Sequence, residues 1–247
     1  MMKKNITYML AALVLLALTA GLTTACSVHD DNPTGEPFVE PKTDFAPAAA
    51  EAVDLGLPSG TKWANMNVGA EAPEDYGLYF AWGETVGYGS DTSDGRSFNW
   101  ANYKWCNGTW NTQTKYCISK SWGTVDNKTV LDPEDDAARV NWGGKWRMPT
   151  YTEMLELLDN TTSEWTTVNG VNGSKFTSKT NGNSIFLPAA GYRDGQGIFG
   201  LPRAGFYWSS SADESVVTDA RNLQFWENWA ATYPGNRCSG FTIRPVQ

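Results

Sequence analysis

The chain has 247 residues, with 19 Lys+Arg against 27 Asp+Glu, a formal net charge of −8 and one His. An acidic chain without a basic run excludes nucleic acid as a partner, because that affinity rests on neutralising phosphates. A lone His, at position 29, excludes a multi-His metal centre and a Ser-His-Asp set in the body of the chain. Twelve Trp, 24 Gly and 12 Pro point instead to short elements, many turns and a β-rich fold.

The first 26 residues read as an export signal. Lys3 and Lys4 precede an uncharged, largely apolar stretch, Tyr8–Leu22, too short to span a bilayer comfortably. Leu-Thr-Thr-Ala-Cys then resembles a bacterial lipobox, with residues 1–25 cleaved and Cys26 as the lipidated N-terminus; ordinary secretion is the alternative. A lipid anchor holds a protein at a membrane without a spanning helix. Residues 26–50 carry Asp30, Asp31, Glu36, Glu40 and Asp44 among Pro33, Pro37, Pro41 and Pro47, the composition of a solvated tether. Ser27-Val28-His29-Asp30-Asp31 resembles the surface-export signal of Bacteroidota lipoproteins, which implies an outer-membrane lipoprotein on the cell surface, with the periplasmic face as alternative.

Glu51–Gln247 suits one domain. Its first predicted helix runs through Leu131–Val140, with Asp132 as N-cap, Pro133 at the first helical position and Gly143-Gly144 as the stop. Acids at 132, 134, 135 and 136 fit a helix N-terminus and lack the spacing of an EF-hand calcium loop, so no metal site is assigned. A second helix follows Pro149, where Thr150 and Glu153 form a capping box and Met154, Leu155 and Leu158 share a face. Strands are expected at Gly60–Asn67, Ser184–Pro188, Gly205–Ser211, Asn222–Phe225 and Gly240–Val246, with a turn at 191–197. The stretch from Trp82 to Leu131 is polar, rich in Trp and aperiodic, which marks a loop that is functional or internally stapled. Cys106 and Cys117 flank the turn dipeptide Asn107-Gly108, and their pairing would supply a staple of roughly 3 kcal/mol. Cys238 is left over.

Six motifs then occur in order: Val53-Asp54-Leu55-Gly56-Leu57-Pro58-Ser59-Gly60-Thr61-Lys62-Trp63-Ala64, Tyr79-Phe80-Ala81-Trp82-Gly83-Glu84, Gly144-Lys145-Trp146-Arg147-Met148-Pro149-Thr150, Leu187-Pro188-Ala189-Ala190-Gly191-Tyr192-Arg193, Tyr207-Trp208-Ser209-Ser210-Ser211 and Gly240-Phe241-Thr242-Ile243-Arg244-Pro245-Val246. Together they resemble the Fibrobacter succinogenes major paralogous domain family over nearly all of 51–247. That resemblance implies an α+β, C-type-lectin-like domain: two helices packed on small antiparallel sheets, with long loops and termini close together. Trp146, Tyr207 and Trp208 are then core or loop-anchoring aromatics, and Arg147 and Arg244 partners for buried carboxylates or carbonyls.

The related formylglycine-generating branch needs a close cysteine pair near the end of the domain, where this chain has Cys238 alone, so the chain is read as no enzyme and no cofactor is expected. The calcium-lectin motifs Glu-Pro-Asn, Gln-Pro-Asp and Trp-Asn-Asp are absent. Recognition is therefore assigned to aromatics in the segment Trp226–Arg237, read as a loop between two strands, with Trp226, Glu227, Trp229, Tyr233, Asn236 and Arg237 contacting a glycan or protein ligand. An adhesive or fimbrial surface component and a retroelement-diversified receptor are the other readings.

Overall fold

The computed structural model of the chain describes residues 45–247. The export signal, Cys26, His29 and the tether up to residue 44 lie outside the described residues. The body is α+β, built mostly of small antiparallel sheets with two short helices.

Strand β1 (Ala52–Val53) pairs with β2 (Trp63–Ala64), and β2 also runs against the end of the chain. Lys62 and Gln247 exchange backbone hydrogen bonds of 2.9 and 3.0 Å, and Ala64 N donates to Pro245 O at 2.8 Å. Residues before Glu51 also join the folded body: Ala46 and Ala50 pack on the core, and Phe45 N donates to Trp142 O.

The expected first helix divides in two. Pro133–Asp135 forms a 3-10 turn, and α1 (Ala137–Trp142) starts afresh behind Asp136. Asp136, not Asp132, is the side-chain cap: its extended backbone (ψ 105°) brings the carboxylate to Arg139 N at 3.0 Å. The Asp132 carboxylate is drawn instead to the Lys115 ammonium at 2.6 Å and to Lys128. Helix α2 (Tyr151–Asn160) carries the predicted Thr150/Glu153 capping box, and Glu153 also takes a fork from Arg147 at 2.7 and 2.5 Å. Its inward stripe is Met154 and Leu157 with Leu158 partly buried, while Leu155 faces solvent. That stripe keeps the i, i+3, i+4 spacing of a helix lying with one face on a sheet.

A hairpin unforeseen from composition follows: β3 (Thr161–Val168) and β4 (Val171–Ser178), with β5 (Ser184–Pro188) completing a three-stranded sheet. Its turn is Asn169-Gly170, both at positive φ (47° and 85°), the conformation a two-residue hairpin demands. A small hairpin, β6 (Tyr192–Asp194) and β7 (Gly197–Phe199), matches the predicted turn. Then β8 (Gly205–Ala212), β9 (Asp219–Trp226) and β10 (Trp229–Asn236) form the other three-stranded sheet, in the order β10-β9-β8.

The β8 strand sets the layering, because successive side chains leave opposite faces of a strand. Phe206 and Trp208 enter a core with Phe80, Trp82, Trp146 and Phe241; Tyr207 enters another with Trp63, Met154, Leu157, Phe176, Leu223 and Phe225. Residues 240–246 cross the body through isolated bridges rather than as a continuous strand. Arg244, fully buried, ties them down: its guanidinium donates to Asn67 Oδ1, Ala64 O and Phe186 O at 2.8–3.0 Å. Burial lowers its pKa to about 10, the direction expected for a desolvated cation.

The predicted Cys106–Cys117 bridge is not formed: Cys106, Cys117 and Cys238 are all free thiols. The Cys106 thiol donates to Trp100 O at 2.9 Å and the Cys117 thiol to Ser119 O at 3.2 Å. Polar ties do the stapling instead. The Asp126 carboxylate accepts from Tyr116 N and Cys117 N at 2.8 Å each. Tyr103 hydroxyl and Trp105 indole N–H donate to the carbonyls of Trp82 and Gly83, and Glu84 holds Arg96 and the Lys104 amide.

Candidate functional site

The segment Trp226–Arg237 is a β-hairpin rather than an irregular loop. Trp226 and Trp229 pair directly across a two-residue turn, Glu227-Asn228, and the register continues through Tyr233↔Asn222 to Asn236↔Asp219. Sequence alternation is obscured in β10 because this edge strand exposes Trp229 and Tyr233 (42 % and 46 %) where a solvent face normally carries polar side chains.

Cross-strand pairing puts both indoles on one face. They stack with centroids 4.6 Å apart and planes 26° from parallel, and Tyr233, four residues on, lies 5.6 Å from Trp229. Trp226 is half-buried and meets Phe206 edge-on at 5.2 Å, so the core fixes the inner ring and the inner ring orients the outer one. Such pairs contribute about 0.5–1.5 kcal/mol beyond area burial.

Beside this stack opens a cleft of about 520 Å³ lined by Trp165, Asn172, Pro202, Arg203, Trp226, Glu227, Asn228 and Trp229. Three predicted residues, Trp226, Glu227 and Trp229, line it, and Tyr233 extends the aromatic surface alongside. Asn236 lies at the far end of β10, away from the cleft lining. Arg237 does not belong to a binding surface at all. It is 1 % exposed, donates to Tyr116 O and Asp219 O and lies 4.7 Å over the Trp82 ring. Its guanidinium satisfies backbone carbonyls inside the body, a role that residue type and position beside the aromatic segment do not distinguish from ligand contact.

The other wall comes from distant segments. Trp165 stands on β3 and meets Phe225 at 6.4 Å. Asn172, on β4, accepts from Thr167 Oγ1 at 2.9 Å and reaches Pro202 O at 3.5 Å, linking the hairpin to the loop that carries Arg203. That loop is closed by Arg203 N and Ala204 N donating to Gly200 O at 2.6 and 2.9 Å, with Gly200 at φ 76°. The one available sequence signal for this wall was Trp165 in a Thr-rich run with Asn169-Gly170 behind it.

Two other clusters are accounted for by their neighbours. Asp132, Glu134 and Asp135 converge within 4.8 Å, but the Lys115 ammonium sits among them at 2.6, 3.6 and 2.6 Å. Asp135 additionally takes the Tyr116 hydroxyl, and burial raises both pKa values. Cys106 and Cys238 share a buried cluster with Tyr79, Phe98 and Tyr103. Burial pushes the Cys238 thiol up to about 12 and the Cys106 thiol upward too, away from the thiolate.

No protein family, curated protein or solved structure matches the chain.

Proposed function

We propose that this chain is a lipid-anchored cell-envelope binding protein, exposed on the outer membrane, whose folded body holds a glycan in the Trp226–Trp229 cleft. The observation that carries the reading is the stacked indole pair, preset by Phe206, at the edge of a cleft with a polar rim. Sugar rings present apolar C–H faces to aromatics and hydroxyls to Asn, Glu and Arg; Trp165, Trp226 and Trp229 offer the first kind of contact and Asn172, Arg203, Glu227 and Asn228 the second.

The C-type-lectin-like assignment, in the form of the Fibrobacter succinogenes major paralogous domain, is supported by two helices beside small antiparallel sheets and by residues 62–64 running against 245–247. Binding is favoured over catalysis because the cleft lining presents one carboxylate, Glu227, and because all three thiols are buried, with the pKa values of Cys106 and Cys238 raised by that burial. A protein ligand is the second reading, favoured by Trp229 and Tyr233 exposed along the edge strand β10, where aromatic anchors serve protein interfaces.

A glycan array probed with and without chelator tests the proposal. Binding that survives chelation and is lost in Trp229→Ala supports it. Binding unchanged in both Trp226→Ala and Trp229→Ala overturns the site.

A further inference from the structure

The cleft contains one cation that the fold does not use. Arg193, Arg237 and Arg244 are all buried and committed to carboxylates or carbonyls. Arg203 is exposed, and among the described residues its guanidinium has neither an ion-pair nor a hydrogen-bond partner. Its backbone, by contrast, is held: Arg203 N and Ala204 N both bond to Gly200 O, Gly191 N bonds to Ala204 O at 2.8 Å, and Asn172 reaches the preceding carbonyl. A rigid root with an uncommitted guanidinium on the cleft wall is a poised donor. An Arg fork matches a carboxylate with two parallel hydrogen bonds, and such charge-assisted pairs are about twice as strong as neutral ones.

Resting on the glycan reading above, we infer that the cleft selects a carboxylated sugar. Arg203 takes the carboxylate, Trp229 takes the apolar face of the ring, and Glu227 accepts hydrogen bonds from ring hydroxyls. Glu227 also sets the charge limit. It is exposed on the turn lining the same cleft, has no cationic partner among the described residues, and belongs to a chain of net charge −8. A single negative charge per residue is balanced by Arg203, whereas a doubly charged phosphate would meet uncompensated repulsion. Apolar stacking surface, one cation and one acceptor together describe a uronate or sialate better than a neutral sugar.

The full-length chain, purified in detergent, is titrated with a panel of uronate- and sialate-containing oligosaccharides, each paired with its carboxyl-reduced neutral counterpart. At least one acid should bind at least tenfold more tightly than its neutral partner, with the difference shrinking in high salt. Arg203→Ala should abolish the preference while leaving thermal stability unchanged, Arg203→Lys should retain part of it, and Trp229→Ala should remove binding of both forms. Equal affinity for acid and neutral forms, or a preference indifferent to Arg203→Ala, overturns the carboxylate assignment and leaves the aromatic site standing. Binding of both forms that ignores Trp229→Ala, or no binding anywhere in the panel, defeats the inference together with the glycan reading beneath it.

Discussion

Trp229 stands directly opposite Trp226 across the β9–β10 turn, and the pair divides two tasks between identical side chains. Trp226, half-buried against Phe206, belongs to the core as much as to the cleft; Trp229, 42 % exposed, belongs to the cleft alone. The hairpin register makes this division, because it places both rings on one face with only one of them over Phe206.

The two tryptophans should therefore separate in mutation. Trp226→Ala removes a ring packed on the core and should lower stability by about 1–3 kcal/mol, below the full-burial cost because the ring is only half-buried. Trp229→Ala should cost under about 1 kcal/mol in stability but more than tenfold in ligand affinity. Urea denaturation read beside ligand titration checks both; equal stability losses would contradict the division.

Arg244→Met should be among the most damaging single changes. It leaves Asn67 Oδ1 and the carbonyls of Ala64 and Phe186 without their donor in a fully buried place. Unsatisfied buried acceptors cost ~1–3 kcal/mol each, so a loss of at least about 3 kcal/mol is expected in urea melts. Arg244→Lys should not rescue it, since one ammonium cannot reproduce the fork geometry.

Stability should respond to acid through two opposing carboxyls. Arg147, with Thr150 N and Thr61, holds Glu153 down to about 2 against desolvation, from an ordinary 4.5; its stabilisation is fully present above 4.5 and lost as pH falls towards 2. Asp136 is pushed up to about 6 by burial, from 3.8, so it binds a proton more readily folded than unfolded. Its contribution is a penalty at neutral pH that is relieved as pH falls from 6 to 4. Each shift corresponds to ~3 kcal/mol at most. Chemical denaturation across pH 2–7 should show Glu153→Gln flattening the low limb, and Asp136→Asn removing the decline in stability between pH 4 and 6.

The thiols should be silent in the native protein. All three are buried and unbridged, and burial raises the pKa of Cys106 and Cys238. Iodoacetamide near pH 8 should leave Cys106 and Cys238 unmodified in the folded chain, and urea without reductant should expose all three. Fewer than three alkylated cysteines among residues 106, 117 and 238 in urea would mean a bridge exists after all.

Local chemistry was legible where a few neighbouring residues settle it. The Thr150/Glu153 box, the short strand Ser184–Pro188 and the turn at 191–197 needed only capping, β-branching and glycine. Asp132 misled because a good N-cap sequence competes with a lysine seventeen positions earlier; Lys115 took the carboxylate and Asp136 inherited the cap. The disulfide misled for a similar reason, since spacing permits a bridge but cannot reveal that Asp126, Tyr103 and Glu84 already hold the loop.

The sequence by itself determined the capped helix behind Thr150, several of the short strands, the aromatic fill of the core and the concentration of aromatics between positions 226 and 233, because these follow from side-chain type and short-range spacing. Only the tertiary structure decided which of them work together. It sent Arg237 inward to carbonyls and left Asn236 outside the cleft. It brought Trp165 and Asn172 of the β3–β4 hairpin and Arg203 of the loop before β8 into one cleft with Trp229. A cleft is a relation between backbones far apart in sequence, set by register and core packing, and no local pattern encodes it.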